Sequence, residues 1–69
     1  MEPVFLAEKL AEARARLVEA GVSPQEAAID VSVYVRAILG WDAATLLARQ
    51  REEAPATLEP RFSEWIARR

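Results

Sequence analysis

The residues of this chain that could take part in covalent chemistry are few and poorly spaced for it. The paired carboxylates are Glu52 and Glu53, in the stretch "EEAPAT". A general acid/base pair needs an apolar setting that pushes one carboxyl's pKa upward, and a polar loop offers none. These two glutamates therefore read as a solvated surface pair. Ser23, Ser32 and Ser63 have no histidine to activate them, because the chain contains neither histidine nor cysteine. The same lack removes thiol nucleophiles, disulfide frameworks and the usual zinc ligand sets. Gly21 and Gly40, the two glycines, stand far apart in the chain and cannot form a phosphate-cradling loop.

Charge narrows the partners. Nine Lys+Arg against eleven Asp+Glu leave a net charge of −2, whereas nucleic-acid modules carry a basic excess that supplies much of their affinity. The basic clusters are "RQRE", with Arg49 and Arg51, and the terminal Arg68-Arg69. Arginine is drawn to helix C-termini by the backbone dipole alone, so direct nucleic-acid binding gains little support. No apolar run approaches the ~20 residues that cross a bilayer, and no secretion leader opens the chain. The expectation is no membrane contact and a cytoplasmic location.

Sixty-nine residues make one domain, with 52% hydrophobic content that excludes disorder. The periodicity predicts an all-α fold, a small bundle of about four to five short helices. The first is expected from about Pro3, in an opening position, to Ala20, with Leu6, Leu10, Ala13 and Leu17 as its apolar stripe and Glu12–Arg16 as an i,i+4 pair. Gly21 ends it in the left-handed conformation that a helix cap requires. In "SPQE", Ser23 is an N-cap, Pro24 the first helical residue and Glu26 the acid of a capping box. The second helix runs to about Leu39, where Gly40 provides its terminus. Asp42 caps a third, roughly Ala43 to Arg51, and Trp41 plugs the corner between them. Thr57 is expected to cap a last helix in which Leu58, Phe62, Trp65 and Ile66 share a face and Pro60 falls in the first turn. That helix is still in phase at Arg69, so the expectation is a domain cut from a longer protein.

Two charged positions fall within apolar surroundings. Arg14 projects toward the apolar side of the first helix and Asp30 interrupts the second, which predicts a structural contact from Arg14 to Asp30 or to backbone. The second helix is apolar nearly all round. Ala27, Ala28, Val31, Tyr34, Val35 and Ile38 make one face; Ile29, Val33 and Ala37 make another, bordered by Glu26 and Arg36. Such a helix is either central in its bundle or keeps a face for a partner. Arg36, Trp41, Arg49 and Arg51 are the candidate partner-binding residues, on the ground of expected exposure near the helix corner.

The order of these elements resembles the N-terminal domain of the PrmC (HemK) family of release factor glutamine methyltransferases. The likeness is carried by Ala13-Arg14 with Leu17, Ala20-Gly21, Ser23-Pro24, Asp30, Leu39-Gly40 and Leu46-Leu47, and by "FSEWIARR" (Phe62 to Arg69), which looks like the helix leading to the catalytic domain. The chain departs from the family's habit at Ala43-Ala44, where an arginine is frequent, and at Pro60.

The resemblance implies a larger protein whose Rossmann-like domain binds S-adenosylmethionine and methylates the glutamine of the release factor's Gly-Gly-Gln motif. The family's Asn-Pro-Pro-Tyr signature and Gly-rich cofactor loop are both missing from this sequence. The implied role is thus a non-catalytic module that helps recognise the release factor, with no cofactor of its own and with the catalytic domain as a second partner. The rival readings are the sister enzyme acting on a ribosomal protein, a free-standing interaction or nucleic-acid module, and a homodimer formed through Ile29 and Val33.

Overall fold

A computed structural model describes residues 4–69. Four α-helices follow one another: α1 (Leu6–Glu19), α2 (Pro24–Leu39), α3 (Ala43–Arg49) and α4 (Arg61–Arg68). A 3-10 turn, Ala56–Leu58, lies between α3 and α4, and no strand occurs among the described residues. The expected all-α bundle is what the chain forms.

The helix ends show how each element is fixed. Ser23 Oγ accepts from the Glu26 amide at 3.2 Å, and Pro24 occupies the first turn. Asp42 Oδ1 accepts from the Thr45 amide at 2.7 Å and starts α3. Gly21 and Gly40 take φ of 101° and 69°. Open space surrounds the position of a Cβ at both, so the demand for glycine there comes from the backbone conformation and not from crowding.

Three expected boundaries are corrected. α1 begins at Leu6; Pro3, the expected opening residue, lies outside the described residues. Phe5 is extended and forms an antiparallel bridge to Glu53. The first amides of α1 are met by loop carbonyls instead of a side-chain cap: Leu6 N–H donates to Glu52 O at 2.9 Å, and Ala7 N–H to Gln50 O at 2.8 Å. The "EEAPAT" loop is therefore stitched to the start of the chain. At the other end, Thr57 does not cap α4 but sits in the 3-10 turn, and the Glu59–Pro60 peptide is cis. Glu59 provides the cap, its Oε2 accepting from the Ser63 hydroxyl at 2.7 Å and the Ser63 amide at 3.4 Å. α3 also ends at Arg49, short of the expected Arg51.

The core joins Leu6, Leu10, Ala13 and Leu17 of α1 to Ala27, Val31 and Val35 of α2, with Leu46, Leu58, Phe62 and Ile66 closing it. α2 packs against α1, α3, the 3-10 turn and α4. It is central, the first of the two alternatives for this helix, and its opposite face stays bare.

Adjacent leucines of α3 separate these roles. Leu46 is buried and Leu47 is 70% exposed. Urea denaturation should show Leu46→Ala losing about 2–3 kcal/mol and Leu47→Ala less than about 0.5 kcal/mol. Equal losses would mean that α3 packs in a different phase.

Candidate partner-binding surface

The corner between α2 and α3 turns the chain through 95°. Gly40 makes the turn, and the Trp41 amide donates back to Arg36 O at 3.1 Å. Trp41 is half-buried against the core. The Arg49 guanidinium carbon lies 5.0 Å from its ring centroid, a cation–π arrangement, while Arg49 Nε donates to Glu52 Oε1 at 3.2 Å. Two of the four candidate residues, Trp41 and Arg49, are thus in contact. Arg36 is half-buried one turn earlier, and its buried Nε has no hydrogen-bond partner. Arg51 is exposed and takes part in none of the ion pairs between described residues. Leu47, exposed on the same short helix, is a surface residue that sequence reasoning misses. The only signal for it is the phase of a seven-residue helix, too short for periodicity to resolve.

The expected Arg14–Asp30 contact does not form. Arg14 is exposed, one residue and so about 100° around the helix from buried Ala13. Asp30 instead accepts from Arg69 Nε at 2.6 Å. Beside this pair, Tyr34 and Trp65 meet edge to face with centroids 5.5 Å apart. Asp30 therefore ties α2 to the end of α4, not to α1. Its partner lies 39 residues downstream, where no local pattern could reveal it. The expected Glu12–Arg16 pair is present, with N···O of 3.9 Å.

On the outer side of α2, Ile29 and Val33 are 62% and 48% exposed, and Ala37 borders them, also exposed. Nothing among the described residues covers Ile29 and Val33.

Proton-transfer chemistry finds no foothold in the groove between α1 and α4, an opening of about 90 Å³ lined by Lys9, Glu12, Arg16, Glu59 and Ser63. Burial alone would push the Glu59 carboxyl up, but the hydrogen bonds from Lys9, at 2.7 Å, and from Ser63 outweigh it and hold the group below the usual carboxylate range. It stays an acceptor. Among the described residues no group of three His, Cys, Asp or Glu could hold a metal ion.

The chain is a small helical bundle that presents an aromatic–cationic corner and a bare helix face. More specifically, residues 8–69 match the PrmC N-terminal domain, and the chain belongs to that family, the helical domain of PrmC-type methyltransferases. No curated protein and no solved structure matches the chain significantly.

The corner generates two expectations. Hydrogen bonding by Thr45, first its amide and then its hydroxyl, holds the Asp42 carboxyl below its ordinary value, and the charge of Arg36 adds to this. A carboxylate depressed in the folded state contributes fully above the ordinary carboxylate range and loses its contribution as pH falls through the depressed value. The stability gap between the parent chain and Asp42→Ala should therefore narrow between about pH 7 and about pH 2.5; a gap indifferent to acid would deny the cap its charge. In a Trp65→Phe background, Arg49→Ala should red-shift Trp41 emission and cost about 0.5–1 kcal/mol. An unmoved spectrum would show that the guanidinium does not shield the ring.

Proposed function

We propose that this chain is the substrate-docking domain of an S-adenosylmethionine-dependent protein-(glutamine-N5) methyltransferase acting on peptide chain release factors in the cytoplasm. Membership of the PrmC N-terminal domain family supports the enzyme class. The observation that carries the docking role is the corner, Trp41 under Arg49, together with Leu47 exposed on another side of α3 and Arg51 exposed just after it. Aromatic and arginine side chains fixed on rigid helices are the usual anchors of protein interfaces, and they offer a release factor both apolar area and charge.

The chain's own residues do not fit the cofactor. Its glycines are helix ends, and among the described residues no strand leads into a glycine-rich turn. S-adenosylmethionine and the methyl transfer are assigned to a separate catalytic domain, which is the second partner of this bundle.

The test uses the full-length enzyme carrying this domain. Leu47→Asp with Arg51→Glu, both at exposed positions, should raise KM for intact release factor about tenfold. Turnover of a short peptide bearing the Gly-Gly-Gln motif should be unchanged. Equal losses on both substrates, or methylation of a ribosomal protein in preference to the release factor, would overturn the assignment. So would micromolar S-adenosylmethionine binding by the isolated chain in calorimetry.

A further inference from the structure

The outer stripe of α2 has an order that its neighbours in the bundle do not explain. Glu26, Ile29, Val33 and Arg36 follow one another at spacings of three, four and three. At 100° per residue, Ile29 and Val33 sit about 40° apart, with Arg36 about 20° beyond one and Glu26 about 20° beyond the other. This is the a/d seam of a coiled coil: a acid, d apolar, a apolar, d basic. Ile29 and Val33 are exposed. The Glu26 and Arg36 side chains join none of the ion pairs between described residues, and Arg36 Nε has no hydrogen-bond partner.

We infer that α2 pairs with α2 of a second copy of this chain, antiparallel, about a two-fold axis at the level of Val31. In an antiparallel pair each a position faces a d position. Facing positions then lie symmetrically about position 31, with 29 opposite 33 and 26 opposite 36. Ile29 packs on the second copy's Val33, and Glu26 meets that copy's Arg36 at both ends of the seam. One symmetric contact satisfies both layers at once, as an isologous interface must. A parallel pair would set Glu26 against Glu26 and Arg36 against Arg36, so the charges select the antiparallel register. Gly40, the next a position, carries no side chain to hold the backbones apart.

The seam covers about three turns, well short of the roughly 1,600 Å² of a standard stable complex. Association is therefore weak and reversible, with a dissociation constant on the order of 100 μM. It uses a face distinct from Leu47 and Arg51 and does not depend on the release-factor reading.

Sedimentation equilibrium of this chain from about 10 μM to about 2 mM should show the mass rising from 7.7 kDa toward twice that value. Glu26→Arg and Arg36→Glu should each weaken association about tenfold, because attraction turns to repulsion at both ends. An equimolar mixture of the two variants should recover the parent's affinity to within about threefold, since the two reversed side chains then face each other with opposite charge. Ile29→Asp should leave a monomer with the parent's helicity by circular dichroism. A parent chain that stays monomeric throughout would overturn the inference and leave the face to a different protein. A mixture no better than its components, or an Ile29→Asp chain that still dimerises, would overturn it too. Arg36 is half-buried; if Arg36→Glu loses helicity, the exposed Glu26→Arg and Ile29→Asp variants decide alone.

Discussion

Everything in this bundle hangs on the close approach of α2 to α1. α1 presents leucines at positions 6, 10 and 17, while α2 answers with Ala27, Val31 and Val35, all nearly solvent-free. Large side chains on one helix against small ones on the other let the two backbones come near and fill the gap at interior density. In a chain of 69 residues without cysteine, no disulfide supplements that contact. Leu46, Leu58, Phe62 and Ile66 then close the core from the remaining elements. The ion pairs play a different part. Asp30–Arg69 and Lys9–Glu59 are each well over a fifth exposed, where solvent screening leaves such pairs worth little. They set the position of α4 against a core that already exists.

Because the stability of so small a domain is the narrow remainder of large terms, unsatisfied helix ends would be costly. Each end solves the problem with what lies nearest. Ser23 and Asp42 cap α2 and α3 from three residues away, and Gly21 and Gly40 turn the chain out of α1 and α2. These devices are local and therefore legible in the sequence, and so is the amphipathic phase of α1. The start of α1 and the cap of α4 are not. The carbonyls of Gln50 and Glu52 reach Ala7 and Leu6 only once the chain has folded back. Glu59 replaces Thr57 as the cap because the chain passes through a 3-10 turn first and Lys9 holds the Glu59 carboxylate in place.

The same division runs through the surface. Trp41 is readable as a corner plug because the glycine before it and the aspartate after it announce a stop and a start. Its cover by Arg49, the last residue of α3, is a contact that shows only in the folded chain. Arg14 misleads because its neighbours in sequence are apolar, although a 100° step carries it off the buried stripe. Asp30 is recognisable as structural, but its tie to α4 is not, since Arg69 is distant in the chain and close only in space. The outer face of α2 is legible as apolar; that α2 is central and bare at once emerges only from the folded bundle.

A helix that serves as the hub of a four-helix core has little freedom on its inner side, where a change of one methylene is felt by every neighbour. Its outer side is under no such constraint, and solubility favours charge there. Ile29 and Val33 run against that preference, whereas Glu26 and Arg36 bound them so that the apolar strip is only one heptad long. Bounding charges of opposite sign do more than limit aggregation: they discriminate among partners, because a helix approaching in the wrong direction meets like charge at both ends. In the pairing proposed above, the stripe makes a short, oriented contact whose weakness follows from its length. A longer apolar seam would have removed α2's outer face from exchange altogether.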